Sequence, residues 1–323
     1  MLEKMFKLKE NNTTVKTEVL AGITTFMTMA YILAVNPSML AAAGMDKTAV
    51  LMATCIASFI GTLAMAMLAN YPFALAPGMG LNAYFAYTVC GAMGYDWKIA
   101  LMAVFAEGLI FIVLSLTNVR EAIFNAIPLT LKRGVSVGIG LFIAMIGFKN
   151  AGIIEDNQYT FVQFYDFHGR IKQIGTEVDG VMVTGLDVWH QIVPVVVALL
   201  GVLIIAILAK KGVKSNVIIG ILASAVLYYL FMWEAPSFDM SNISQSFKDF
   251  ANVGFLGLFN GDAWDAAFNS SYVGGVFSGI MLIVAFCLVD MFDTIGTIYG
   301  TAASANMLDE NGDPISMNEC MLC

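Results

Sequence analysis

Residues 73–85 read Phe73-Ala-Leu-Ala-Pro-Gly-Met-Gly-Leu-Asn-Ala-Tyr-Phe85, preceded by Tyr71 and Pro72. The run is apolar enough for a membrane interior. Pro72, Pro77, Gly78 and Gly80 nevertheless rule out one unbroken helix, because proline removes a backbone donor and glycine weakens the helix around it. The expected local structure is a Pro-bounded extended piece that turns at Gly78 and Gly80 and enters a helix near Asn82. Backbone amides freed in this way cannot be left bare in lipid, so the segment must line a protein-enclosed cavity.

The sequence on either side decides what the break is embedded in. Eight stretches reach or approach the ~20 apolar residues that cross a bilayer: Val19–Ala43, Ala49–Leu68, Phe73–Met93, Ile99–Leu116, Gly134–Phe148, Ile192–Leu208, Val217–Trp233 and Val273–Ile298. Across all 323 residues, 59% are hydrophobic and 12% charged. Soluble domains carry about 25% charged residues, so no single core could hide this much apolar surface. A net charge of -8 with only 16 basic residues argues against nucleic-acid binding, which needs cations clustered against a phosphate backbone. The reading is an all-α polytopic membrane protein. The basic start has no small-residue cleavage site of the secretory kind. With the N-terminus inside, ten of the 16 basic residues fall on the inner side, which puts both termini in the cytoplasm of a multi-pass cell-membrane protein. The long polar segments Lys149–Trp189 and Glu234–Ser271 then face out, where each could form short strands or interfacial helices.

Three ionisable side chains stand well inside apolar runs: Glu107, Asp290 and Asp293. A mid-bilayer carboxylate costs about 2.5 kcal/mol or more and therefore needs a reason. Asp290 and Asp293, at i and i+3, share one helix face, with the hydroxyls of Thr294 and Thr297 close by. Two such carboxylates in a low dielectric cannot both carry their charge comfortably. That is the property a proton-coupled carrier uses, taking a proton on one side and releasing it on the other. A carboxylate also accepts from the N–H groups of a polar planar ligand. Glu107 stands alone and reads as a group bonding across helices. The broken third segment, with a helix N-terminus in mid-membrane, is the usual pointer to a substrate site in secondary transporters. Asn82 can donate and accept at once, which suits a heterocyclic base.

Other features read as ordinary. Gly78-Met-Gly-Leu-Asn-Ala83 fits a dinucleotide pattern formally but has no cytosolic strand or acidic ribose partner. The G-x-x-x-G spacings Gly134–Gly138 and Gly296–Gly300 read as close helix packing. Of the five cysteines, three are in apolar runs, and Cys320 and Cys323 have no Cys or His nearby to complete a metal or redox site. His168 and His190 read as solvated or interfacial. Thr24, Thr25 and Thr28 either bond neighbouring backbone or line the cavity. No cofactor or metal is expected. An aspartyl-pair membrane enzyme is disfavoured because its carboxylates belong on facing helices, so the chain is not expected to be an enzyme, and a passive channel ranks below a carrier.

Three motifs now carry a resemblance. Ala21-Gly-Ile-Thr-Thr-Phe-Met-Thr-Met-Ala-Tyr-Ile-Leu-Ala-Val-Asn-Pro37, Ala76-Pro-Gly-Met-Gly-Leu-Asn-Ala-Tyr-Phe85 and Val289-Asp-Met-Phe-Asp-Thr-Ile-Gly-Thr297 resemble those of AzgA-like purine permeases. These form the adenine/guanine/hypoxanthine branch of the nucleobase–cation symporter-2 (nucleobase/ascorbate transporter) superfamily. The resemblance implies fourteen segments in two inverted repeats, a core and a gate domain, elevator-like alternating access, proton symport and a homodimer. It implies a core over residues 1–118 (segments one to four), a gate over 119–233 with the external loop 149–189, and a return to the core over 234–323. It also implies a short strand in the third segment. Purine binding falls to Asn82, with Gly78 and Gly80 beside it, and both binding and proton coupling to Asp290 and Asp293. The chain covers about eight of the fourteen segments, and the glutamate that the tenth segment should supply has no counterpart. It therefore reads as C-terminally truncated, and a product ending at Cys323 is expected to be inactive. The alternative on the same architecture is a carrier of another nucleobase or of a small anion. A basic residue facing the break would favour the anion reading, and the sequence offers none.

Overall fold

In the computed structural model, residues 6, 8, 13–117, 123, 126–178, 181–213, 215–233, 247, 248, 250, 275–305, 307 and 308 are described. The external segment 234–271 lies almost wholly outside the described residues, as do the turn Asp309–Pro314 and both terminal cysteines. The chain divides into two compact units, Met1–Leu141 with Met240–Cys323, and Phe142–Asp239.

The first unit is helical. It contains α1 (Val15–Met29), α2 (Ile32–Ala41), α3 (Lys47–Ala64), α4 (Met79–Ala83), α5 (Trp97–Leu116) and α10 (Gly275–Ser304). Helix starts follow their caps. The Asp46 carboxylate accepts from the Thr48 and Ala49 amides at 3.1 and 2.7 Å, and Asp96 accepts from Lys98 N at 2.8 Å. Past α3 the chain widens into a π-turn (Met65–Ala69), which ends where Asn70 takes a left-handed conformation, φ 54°. Residues 71–78 then run extended. The strand expected here takes the form of extended backbone without a ladder partner among the described residues. Its polar groups are met instead by a side chain: Thr62 Oγ1 accepts from Leu75 N at 2.9 Å and lies 3.3 Å from Leu75 O. Tyr71 stacks on Phe73 at 4.8 Å. A buried cluster of Met65, Ala69, Tyr71, Ile295, Ile298 and Tyr299 packs this segment, through Phe73 and Leu75, against the second half of α10. α4 continues as a π-helix, Tyr84–Ala92, whose Tyr84 and Phe85 close on the fully buried Phe286 of α10.

The second unit holds the end of α6 (Leu129–Asn150), then β1 (Ile154–Asn157), β2 (Phe161–Phe164), α7 (Phe167–Lys172), β3 (Glu177–Val178), β4 (Val181–Met182), α8 (Gly185–Lys210) and α9 (Asn216–Met232). The segment Lys149–Trp189 thus forms two antiparallel hairpins and a short helix, the small elements expected of it. Ile153, Tyr165 and Val195 make its core. The buried Tyr165 phenol is pushed above its ordinary value by desolvation, against the pull of Arg170. α8 opens with a capping box between Thr184 and Asp187.

α8 and α9 run antiparallel, and glycine sets their closeness. A Cβ on Gly201 would run into Ser224, and one on Gly220 into Ile205. The sequence spacing pointed elsewhere: at Gly134 and Gly138, nothing described lies within 4 Å of an added Cβ. The close packing read from that pair is therefore absent among the described residues, where their faces are open. A four-residue spacing shows only that two small residues share a face.

Among the described residues, five helical stretches are long and apolar enough to cross a membrane: Val15–Ala41, Lys47–Ala69, Trp97–Leu116, Gly185–Lys210 and Phe277–Ser304. Val137–Asn150 and Asn216–Met232 are shorter, and the third segment is divided by its extended piece. The chain is a mostly helical, multi-pass membrane protein.

Candidate functional site

Asp293 sits two thirds of the way along α10, on the part that packs against the extended segment. Gly78 ends that segment as the residue preceding α4, with φ -68° and ψ 118°. A Cβ built on Gly78 would lie 2.7 Å from Asp293 Oδ2. The carboxylate thus occupies the space that a side chain at 78 would need. The glycine is required here for room, because its backbone angles suit any residue. Two motifs remote in sequence meet at this contact, with the carboxylate at the N-terminal end of α4, where the helix dipole favours negative charge.

Asn82 lies one turn into α4, its amide donating to Gly78 O at 3.1 Å. Its side chain reaches back to α2, with Nδ2 donating to Asn36 Oδ1 at 2.5 Å. Asn36 Nδ2 donates to Thr54 Oγ1 at 2.7 Å, and Thr54 Oγ1 donates to Val50 O at 2.7 Å. Asn36 and Thr54 are 4% and 2% exposed, whereas Asn82 is half-buried. Three helices are joined by one line of neutral hydrogen bonds.

Asp290 is half-buried, one turn before Asp293 and within electrostatic reach of it. Glu107 on α5 is 4% exposed, and both it and Asp290 reach Cys287 electrostatically. Thr297 turns its hydroxyl back onto the Asp293 carbonyl at 2.6 Å. Thr24, Thr25 and Thr28 likewise bond carbonyls of their own helix, at 2.9, 3.0 and 2.7 Å. Thr25 also lines an apolar cavity of about 570 Å³ between α1, α3 and residues 71–75, which none of the five sequence-derived site residues lines. The buried Ser58 hydroxyl there has no partner among the described residues.

Gly78, Gly80, Asn82, Asp290 and Asp293 all fall in the first unit, around the junction of α4 and α10. Asn36 and Thr54 are not among the site residues read from the sequence, where Asn82 stood out by its place at the helix break and the carboxylates by their charge. An amide in an apolar run raises the same question of who satisfies it, and Asn36 stood in Ile-Leu-Ala-Val-Asn-Pro for that question to be asked. No group of three or more His, Cys, Asp or Glu that could hold a metal occurs among the described residues.

Over residues 16–322 the chain matches the model of a family described as "Permease family". A protein of Methanocaldococcus jannaschii named as a permease is 42% identical over 313 residues, covering 96% of this chain and 63% of its own length. The adenine permease AdeP of Escherichia coli K12 is 36% identical over 313 residues, covering 97% of this chain and 61% of its own length. The guanine/hypoxanthine permease PbuO of Bacillus subtilis is 38% identical over 314 residues, covering 96% and 64%. The chain therefore spans somewhat less than two thirds of the length of these relatives.

Proposed function

The chain belongs to the Permease family, and from that premise we propose that it serves a secondary transporter importing purine nucleobases by proton symport with alternating access. The observation that supports this most directly is the contact of Asp293 with Gly78. It sets a titratable carboxylate beside the start of α4, one turn from a carboxamide able to hydrogen-bond a heterocycle. Relatives named for adenine, guanine and hypoxanthine support the substrate class.

In this reading Asp293 and Asp290 face the base and its coupling proton, while Asn82 and the backbone near Gly78 and Gly80 bind the base across from them. The protonated carboxyl can donate and the ionised one accept, so loading the proton changes what the base meets. The glycines let the base approach the backbone closely. Glu107, on the neighbouring α5, shares with Asp290 the surroundings of Cys287. Residues 1–118 and 234–323 form the core domain of an inverted-repeat transporter and residues 119–233 its gate; the compact units divide the chain elsewhere, after Leu141 and Asp239. The N-terminus is cytoplasmic and the assembly a homodimer.

The test is uptake of labelled hypoxanthine, adenine, guanine and uracil by the product of the complete gene, in a host without its own purine carriers. Each assay is run with and without an uncoupler. Saturable purine uptake that collapses with the proton gradient is expected. Protein that reaches the membrane and takes up no purine overturns the reading.

A further inference from the structure

We infer that Asn36 and Thr54 are positioning residues: they fix which end of the Asn82 carboxamide faces the ligand, so that the site offers an acceptor, Oδ1, to a ring N–H of its substrate. The inference rests on the reading of Asn82 as a binding residue and adds a direction to it.

The direction starts at a backbone carbonyl. Val50 O can only accept, and Thr54 Oγ1 lies 2.7 Å from it, so the Thr54 proton is committed there. Thr54 then offers its neighbour only lone pairs. Asn36, 2.7 Å away, must turn its NH2 towards them. Its Oδ1 is thereby aimed at Asn82, and an oxygen facing Asn82 obliges Asn82 to turn Nδ2 inward. The end of the Asn82 carboxamide turned away from Asn36 is therefore Oδ1, which accepts no hydrogen bond among the described residues, with the second Nδ2 hydrogen beside it.

Reversing either amide would set oxygen against oxygen or NH2 against NH2. With Asn36 and Thr54 at 4% and 2% exposure, water has little room to repair the mismatch. Orientations of amide groups are assigned from such networks, and here a fixed acceptor at one end settles every step. An acceptor held in place suits the ring N–H that free purine bases carry, and it disfavours ligands whose N–H is alkylated.

The test is a double-mutant cycle in the uptake assay, using the complete protein at matched membrane levels. Thr54→Val is nearly isosteric and removes the lone pairs that hold Asn36. It should raise the KM for hypoxanthine roughly three- to tenfold, the size of one neutral hydrogen bond. Thr54→Ser, which keeps the hydroxyl, should stay within about twofold. If Thr54 acts through Asn82, the valine substitution should add less than about twofold in an Asn82→Ala background. Discrimination of hypoxanthine from its N-methylated derivatives as competitors should also fall in Thr54→Val and persist in Thr54→Ser.

Equal effects of Thr54→Val with and without Asn82, or unchanged discrimination in Thr54→Val, overturn the inference. If Thr54→Val fails to reach the membrane, Asn36→Ala takes its place in the cycle. If Asn82→Ala is too weak to read, the discrimination ratio decides alone. Absence of purine uptake in the unmodified protein refutes the proposed function first, and is distinguishable because it appears before any substitution.

Discussion

Gly78→Ala isolates the contact on which the site is built. The backbone at Gly78, φ -68° and ψ 118°, accepts alanine without strain, so the substitution tests space alone. The new methyl would stand 2.7 Å from Asp293 Oδ2, where ordinary contact begins at 3.4 Å. One partner must therefore retreat by about 0.7 Å, less than the ~1 Å of misplacement that can cost a hundredfold in rate. The extended segment is the stiffer partner, pinned by the two contacts of Thr62 with Leu75 and by the stack of Tyr71 on Phe73. The carboxylate should yield, turning by well under ~30°, at a cost below about 1 kcal/mol. Alanine also restricts the unfolded chain, which returns about 0.4–1 kcal/mol. Stability and membrane level should accordingly be almost unchanged. Function should not be. Misplacing a group at the reacting centre by this much should lower Vmax/KM for purine uptake by about tenfold or more. The assay is initial-rate uptake at matched protein level, beside Gly138→Ala, whose methyl would meet none of the described residues within 4 Å. A Gly78→Ala protein with kinetics within twofold of the unmodified one would refute the reasoning, either because Asp293 does not lie against Gly78 or because its position does not matter.

Asp293→Asn keeps the shape of the contact and removes the charge; uptake should lose its uncoupler-sensitive part, and unchanged proton-driven uptake would remove Asp293 from coupling. Thr62→Val strips the partner from Leu75 N and should cost about 1–3 kcal/mol, seen as a lower midpoint in detergent melting, with Thr62→Ser restoring most of it. Gly220→Ala drives a methyl into Ile205 across α8 and α9 and should cost about 1–3 kcal/mol by overpacking. Gly138→Ala, on a face open among the described residues, should be neutral or gain up to about 1 kcal/mol from helix propensity, and equal losses at the two glycines would contradict the packing described.

The spans were legible because bilayer-scale apolar runs leave a signal that no soluble core imitates, and the break at residues 70–78 because Pro72, Pro77 and the glycines cannot continue a helix. What the sequence could not show was pairing between distant segments. Nothing within Val-Asp-Met-Phe-Asp states that Asp293 will lie against a glycine of another segment. That follows from the apolar cluster of Met65, Tyr71, Ile295 and Tyr299, which brings α10 alongside the extended piece. Gly134 and Gly138 have open faces among the described residues for the same reason, since spacing names a face and only the neighbour decides whether that face is covered. Asn36 and Thr54 were missed for a different one. They are neutral and stand in unbroken helical runs, without the charge that marks Asp290 and Asp293 or the helix break that marks Asn82, although a buried amide or hydroxyl raises the same demand for partners.

The two halves of the proposed site differ in kind, and the difference bears on how a proton could be coupled to a base. On the α10 side stand carboxylates, whose charge depends on whether a proton is bound. On the α4 side stands a neutral relay anchored at Val50 O, which has no titratable member. Protonation can therefore change the attraction for the ligand from one side while leaving its orientation on the other unaltered. Had Asn82 been held by a carboxylate instead, each proton cycle would have reset the direction of its amide, and the acceptor offered to the base would have turned with it. A carrier whose carboxylates change what the base meets on each proton cycle gains from holding the orientation of the base on a separate, neutral group. That separation is what the two variants address in turn: Thr54→Val should alter which ligands are preferred while uptake remains uncoupler-sensitive, and Asp293→Asn should alter the coupling while preference among analogues is retained.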